Sequence, residues 1–214
     1  MGFTAGYSNT TGAFSTFVGY QTGYYSTGTY NNIFGTQAGF NLSTGGYNTC
    51  VGGAAGYNMT TGSGNIAIGG QTSAGTYVPV QSITTQNDYI SMGSTSATNA
   101  YIQVAWTVVS DLRDKIVLGD VPLGLDFVRK LKPIKYQFTE TRGDNTPHGD
   151  VKYGFGAQDV LAEEGDNPVI VDTKVSDKLK ITDSHMMPVF ANAIKEMADM
   201  IDQLKAEIAA LKGA

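Results

Sequence analysis

A serine and a lysine stand five residues apart in the stretch Val108-Val109-Ser110-Asp111-Leu112-Arg113-Asp114-Lys115, a pairing of side chains that can do covalent chemistry. A serine hydroxyl is a poor nucleophile until a base takes its proton. A lysine can be that base only when desolvation or a nearby cation disfavours its ammonium form, which predicts a partly buried Lys115. The spacing sets a second condition. Residues five apart lie about 140° apart around a helix and on opposite faces of a strand, so neither regular element presents the two side chains together. A strand ending near Ser110 and followed by a turn would do so, as would a lysine supplied by a neighbouring subunit.

Other residues carry weaker chemical signals. Asp111 and Arg113 are suited to capping that turn or pairing across chains, and Asp111 is also a candidate for supporting catalysis. Gln158 is a candidate oxyanion donor, with a structural hydrogen bond the plainer role. His148 and His185 lack other ligands at metal spacing, so no metal and no cofactor are expected. Asp183-Ser184-His185 contains triad residue types, but sequence neighbours rarely converge on one centre, and it reads as a helix start capped by Asp183 or Ser184. Arg142-Gly143-Asp144 lies in a polar loop and reads as coincidence. Gly119 and Gly124 are not followed by the Gly-Lys-Ser/Thr of a phosphate loop.

The elements that must position Ser110 and Lys115 come from two unlike halves. The chain has 214 residues, 27 glycines and a formal net charge of -5, which gives no electrostatic footprint for nucleic acid or an anionic membrane. No apolar run approaches the roughly 18 residues of a spanning helix, and the first residues lack the pattern of a secretory signal. Cys50 is the single cysteine, so no disulfide forms within the chain; it reads as a small packed residue. Most glycines and tyrosines precede Gly75, whereas charged residues concentrate after Ser110.

The first half is a repeat. Ala5-Gly6-Tyr7, Thr22-Gly23-Tyr24, Ala38-Gly39-Phe40 and Ala55-Gly56-Tyr57 place their glycines 17, 16 and 17 residues apart. A second phase keeps step, with Thr11-Gly12, Thr27-Gly28, Thr44-Gly45 and Thr61-Gly62 marking turns. Such a period is the signature of stacked β-coils. The units are poor in large aliphatic residues, which predicts that identical chains wrap around one another to supply the missing core. The sequons at Asn9, Asn41 and Asn58 recur with the repeat and read as turn chemistry. Tyr7, Tyr24, Phe40 and Tyr57 read as packing residues, with a carbohydrate-stacking ladder as the alternative.

From Thr76 to Val109 the repeat lapses and alternation predicts strands at Tyr77–Val80, Asp88–Gly93 and Tyr101–Val109, with Trp106 as a packing anchor. Near the C-terminus Phe190, Ile194, Met197, Ile201, Leu204, Ile208 and Leu211 are spaced 4, 3, 4, 3, 4 and 3, the seam of a coiled coil. Isoleucine at a with leucine at d leans towards two strands. Phe190, Met197 and the repeat half argue for three.

Two resemblances join these observations. The Ala-Gly-Tyr repeats, over residues 2 to 70, resemble those of bacteriophage tail fibres and trimeric adhesin heads. The segment from Ser110 resembles the intramolecular chaperone domain of phage tail spikes and fibres, the S74 peptidase family, through Ser110-Asp-x-Arg-x-Lys115, then Lys132-Pro133 to Phe138, then Gly154 to Gln158, with a closing helix. The resemblance implies Ser110 as nucleophile, Lys115 as base and Val109-Ser110 as the bond cut, once per chain, after the domain has trimerised and helped the upstream fibre to fold. The expected architecture is a mainly β N-terminal half, a trimeric β-helix or β-roll shaft of 16-17-residue repeats, then an α+β chaperone domain ending in a trimeric coiled-coil helix. The expected boundaries are 1-75 for the shaft, 76-109 for a β-rich connector, 110-188 for the chaperone and 189-214 for the coiled coil. Expected partners are two further copies, the upstream fibre and a host receptor or glycan, in a virion tail fibre assembled in the bacterial cytoplasm. The alternative is a non-cleaving fibre tip or trimeric adhesin. A membrane-tethered transcription factor carrying the domain is disfavoured, since no basic DNA-binding region or spanning helix is found.

Overall fold

The computed structural model describes residues 2–140 and 142–213, and the chain divides into one compact unit ending at Tyr101 and a second beginning at Ile102. In the first unit the repeat becomes a β-solenoid. Strands β1 (Thr16–Val18), β2 (Asn32–Phe34), β3 (Thr49–Val51), β4 (Ile66–Ile68) and β5 (Ile90–Met92) stack in chain order, all parallel. Register is kept throughout, so Phe17, Ile33, Cys50, Ala67 and Ser91 form one inward row, and Val18, Phe34, Val51, Ile68 and Met92 form an outward one. The segment Asp88–Gly93, expected as a strand, supplies β5 as one more coil.

The glycine of each Ala-Gly-aromatic unit has a steric cause. Gly39 has φ +57°, and a Cβ there would stand 2.7 Å from Ile33 Cδ1; Gly23, also at φ +57°, would meet the Phe17 ring. The chain turns back over its own core at these points, which only glycine permits at no cost. The aromatic residues that follow stack on one another. Tyr7, Tyr24, Phe40 and Tyr57 have ring centroids 4.9, 5.3 and 5.3 Å apart, and Phe14, Tyr30 and Tyr47 form a second stack at 4.9 Å spacing. Ring faces within each stack therefore cover one another.

The expectation that the repeats lack a core within one chain is overturned. Ile33, Leu42, Met59 and Ile83 are buried together with Ala38, Cys50, Ala55 and Ala67, and Phe17 and Tyr89 pack against them. The interior is narrow, so small side chains fill it. Burial pushes the Cys50 thiol up to about 12.

A polar device locks the coils in register. Asn31, Asn48 and Asn65 are fully buried. The Oδ1 of each accepts the next coil's backbone N–H, from Asn48 to Asn31 at 3.0 Å, Asn65 to Asn48 at 3.0 Å and Tyr89 to Asn65 at 2.9 Å. Each Nδ2 donates to a carbonyl, of Gly45, Gly62 and Gln86 respectively, at 2.8 to 2.9 Å. Buried amides satisfied in this way add stability and punish any slip in pairing.

The second unit is α+β. Helix α1 (Leu125–Lys130) precedes a hairpin of β6 (Pro133–Thr139) and β7 (Pro147–Phe155), bulged between Tyr136 and Phe138. Helix α2 (Ala157–Glu164), a small sheet of β8 (Val171–Asp172) and β9 (Lys180–Ile181), and helix α3 (Asp183–Lys212) follow. Its core is Phe127, Val160, Ile170, Val171, Met186 and Val189. The N-cap of α3 is Thr182, which makes no side-chain capping bond, and Asp183 lies in the first turn; the expected caps Asp183 and Ser184 are thus inside the helix. The first part of α3 buries Met186, Val189 and Ala193 in this core, while Ile194, Met197, Ile201, Leu204, Ile208 and Leu211 are exposed. No helix among the described residues is long and apolar enough to cross a membrane.

The expected strand Tyr101–Val109 does not form. Among the described residues the segment has no strand partner, it is exposed throughout, and Trp106 is 75% exposed rather than packed.

Candidate active site at the Ser110 turn

One turn of 3-10 helix, Leu112–Asp114, follows Ser110. Asp111 is its N-cap, extended at φ -67° and ψ 133°, and accepts the Arg113 backbone N–H on its carboxylate at 2.9 Å. Asp114 N–H donates to the Asp111 carbonyl and Lys115 N–H to the Leu112 carbonyl, each at 3.2 Å. The chain leaves the turn extended at Lys115. With three residues per turn the backbone doubles back, and the Lys115 side chain returns to where the turn began. Lys115 Nζ donates to Ser110 Oγ at 2.5 Å. The spacing that excludes a regular helix or strand is thus met by a tight turn within one chain, with no second subunit.

The turn has no buried residue, so its own polar contacts hold it. Arg113 clamps Asp111 from the side, with Nε 3.1 Å from both carboxylate oxygens and Nη2 2.6 Å from Oδ2. Hydrogen bonds from the Arg113 side chain, and then from its backbone N–H, hold the Asp111 carboxyl below the usual carboxylate range. The cap is therefore intact above that range and is lost only as pH falls through the lowered value. Asp111 faces Arg113, not Ser110.

Two expectations differ from the structure. Lys115 is exposed, not partly buried, because the residues around it are themselves uncovered: Val108, Val109, Leu112, Ile116, Val117 and Leu118 all lie in solvent, Leu118 at 96%. Gln158 is exposed in the first turn of α2, and among the described residues no hydrogen bond joins it to Ser110 or Lys115.

The strap after the turn is held from α3. Asn192 Nδ2 donates to the Val121 carbonyl at 3.0 Å and to the Leu123 carbonyl at 3.2 Å. Glu196 accepts the Leu125 N–H at 2.8 Å, capping α1, whose N-cap Gly124 has no side chain to do so. Glu164 likewise gathers the N–H groups of Val169, Ile170 and Val171. Between strap and helix lies a cavity of ≈ 430 Å³ lined by Leu118, Val121, Leu123, Ile170, His185 and Val189 among others; neither Ser110 nor Lys115 borders it. His185 Nδ1 bonds the Val169 carbonyl at 2.8 Å, so the Asp-Ser-His run is no triad. Among the described residues no group of side chains could hold a metal. In the loop of the Arg-Gly-Asp tripeptide, Arg142 pairs with Asp177 at 3.4 Å and Asp144 accepts from Thr146.

Comparison with known proteins finds a family match. The family model Peptidase_S74, described as chaperone of endosialidase, matches residues 110–166. No curated protein and no solved structure matches the chain. The match begins at the serine whose hydroxyl receives the Lys115 hydrogen bond, and it supports an endosialidase-type chaperone domain over this part of the second unit.

Proposed function

We propose that the chain is the distal part of a bacteriophage tail fibre whose C-terminal domain is a self-cleaving intramolecular chaperone. In this reading the solenoid coils through β5, which run past residue 75, form the shaft, the stretch from there to Val109 the connector, 110-188 the chaperone and 189-214 a trimerising coiled coil. Three chains associate through their C-terminal ends, the fibre folds in register, and each chain then cuts itself once between Val109 and Ser110. The virion location, the upstream fibre as partner and recognition of a host receptor or glycan belong to the same proposal. For a glycan the aromatic stacks offer ring edges rather than faces.

The observation that carries this reading is the Lys115 Nζ to Ser110 Oγ hydrogen bond at the first residue of the family match. Once Lys115 has lost its ammonium proton to solvent, Ser110 Oγ attacks the carbonyl carbon of Val109 while the serine proton passes to the neutral Lys115 Nζ. The bond from that carbon to the Ser110 nitrogen breaks, the leaving amine takes the proton, and the acyl group rests on Ser110 Oγ as an ester. Water hydrolyses the ester, leaving a carboxylate on Val109 and a free amine and hydroxyl on Ser110.

Association is supported by two apolar faces. The exposed seam of α3 runs from Ile194 to Leu211. On the solenoid, Val18, Phe34, Val51, Ile68 and Met92 form an outward row across five strands, each partly open to solvent, although parallel sheets are ordinarily covered on both faces. Neighbouring copies lying over the Ser110 turn would also supply the desolvation that a lysine base needs. The exposure of Lys115 in one chain favours a second reading, in which the domain stays attached and the pair is inert. A denaturing gel of freshly expressed protein decides between them. Wild type should give two fragments divided after Val109, and Ser110→Ala a single 22.7 kDa band; an uncut wild type sinks the cleavage mechanism.

A further inference from the structure

The geometry points to Asp111 and Arg113 as a positioning pair for the Ser110 reaction: Asp111 builds the turn that delivers Lys115 to Ser110, and Arg113 holds the Asp111 carboxylate away from the Lys115 ammonium. This inference rests on the cleavage reading and adds two roles to it. It starts from an imbalance. The turn buries nothing, so hydrophobic packing cannot keep its shape, yet the Lys115 contact depends on that shape. Two backbone hydrogen bonds at 3.2 Å close it, and the shorter contact in it is the Asp111 cap on the Arg113 N–H, at 2.9 Å.

A carboxylate is nevertheless a poor neighbour for a lysine base. Left free, it would stabilise the ammonium and oppose proton transfer from Ser110. Arg113 removes that conflict by taking both Asp111 oxygens through its side chain. The pair is then close to neutral, and the cap survives. The charged residues of the turn are Asp111, Arg113, Asp114 and Lys115, all but Asp111 exposed. Among the described residues no carboxylate forms an ion pair with Lys115, Asp114 included.

The test is the rate of self-cleavage of the full chain as a function of pH. Asp111→Asn keeps a cap acceptor and should reach a maximal rate near that of wild type, with its pH profile moved downward because Arg113 is then unneutralised. Asp111→Ala loses the cap and should cut roughly fivefold to tenfold more slowly. Arg113→Ala frees the carboxylate and should move the pH profile upward by about 0.5 unit. The double variant Asp111→Asn with Arg113→Ala should return the profile to its wild-type position, a rescue that loss of structure alone would not produce. Wild-type cutting by Asp111→Ala, or an unmoved profile in Arg113→Ala, overturns the inference while leaving the Ser110 mechanism standing. If wild type is never cut, the mechanism itself fails and the geometry is read in the intact chain by NMR. The nuclear Overhauser contact between the Lys115 ε-protons and the Ser110 β-protons should be present in wild type and Asp111→Asn and absent in Asp111→Ala; its persistence in Asp111→Ala overturns the positioning role.

Discussion

Glu196, well inside the long helix α3, accepts the backbone N–H of Leu125 at 2.8 Å and so caps α1 from another element. Gly124 leaves room for this contact, since a Cβ there would overlap the Glu196 carboxylate and oblige it to swing aside. Glu196→Ala leaves the first N–H of α1 without its acceptor and should lower the stability of the C-terminal unit by about 1 kcal/mol. Thermal unfolding of an isolated 102–214 fragment against its variant measures it. Gly124→Ala should cost about as much, because swinging the carboxylate aside loses the same hydrogen bond.

Lys115→Arg separates a hydrogen bond from a base. A guanidinium still donates to Ser110 Oγ but stays protonated at any pH the protein survives. Cleavage should fall below detection while the oligomer is unchanged, as read by gel and by light scattering on the same sample. Cleavage at even a tenth of the wild-type rate would show that Lys115 is a donor and not the base.

Asn48→Ala removes the middle rung of the amide ladder. The Gly62 carbonyl and the Asn65 N–H lose their buried partners, a cost of about 2 to 4 kcal/mol. Chemical denaturation followed by near-ultraviolet tyrosine signals should show the midpoint fall with little change in slope. Asn48→Asp should be worse at neutral pH, because a carboxylate would then face Asn31 Oδ1, at present the acceptor of Asn48 Nδ2 at 3.1 Å.

Ile201→Lys places a charge in the exposed seam of α3 without touching the domain core. Light scattering should report three chains for wild type and one for the variant. If registration by the C-terminal ends is what lets the fibre fold, the variant should also be recovered aggregated or protease-sensitive in residues 1–109. A folded, protease-resistant shaft on a monomeric variant would remove the chaperone role and keep only the coiled coil.

The repeat phase, the apolar seam of the last helix and the exclusion of a regular helix or strand across Ser110 and Lys115 are legible in the sequence, because each follows from spacing alone. What escapes it depends on partners that spacing does not name. Tyr101–Val109 alternates like a strand, but alternation says which side a residue faces and not whether another strand lies beside it. The repeat reads as coreless because large aliphatics are few, yet a coil this narrow is filled by Ala38, Cys50, Ala55 and Ala67. The amide ladder had a visible signal in Asn31, Asn48 and Asn65, spaced 17 and 17, each two residues before an inward strand position; turn-forming asparagines in the same repeats mask it. That the turn is a 3-10 turn capped by Asp111 is set by a carboxylate conformation that residue order does not reveal. Lys115 reads as partly buried from its chemistry, whereas in the single chain it is exposed.

Cys50 gives the solenoid a clock. It is the single thiol of the chain, it lies in the middle strand of the stack, and burial holds it in a form that does not react. A thiol reagent can reach it only when the coils on either side part, so the labelling rate at saturating reagent is the opening rate of the shaft itself. Because that rate is read without denaturant, one sulfur reports the lifetime of the closed solenoid rather than its equilibrium stability.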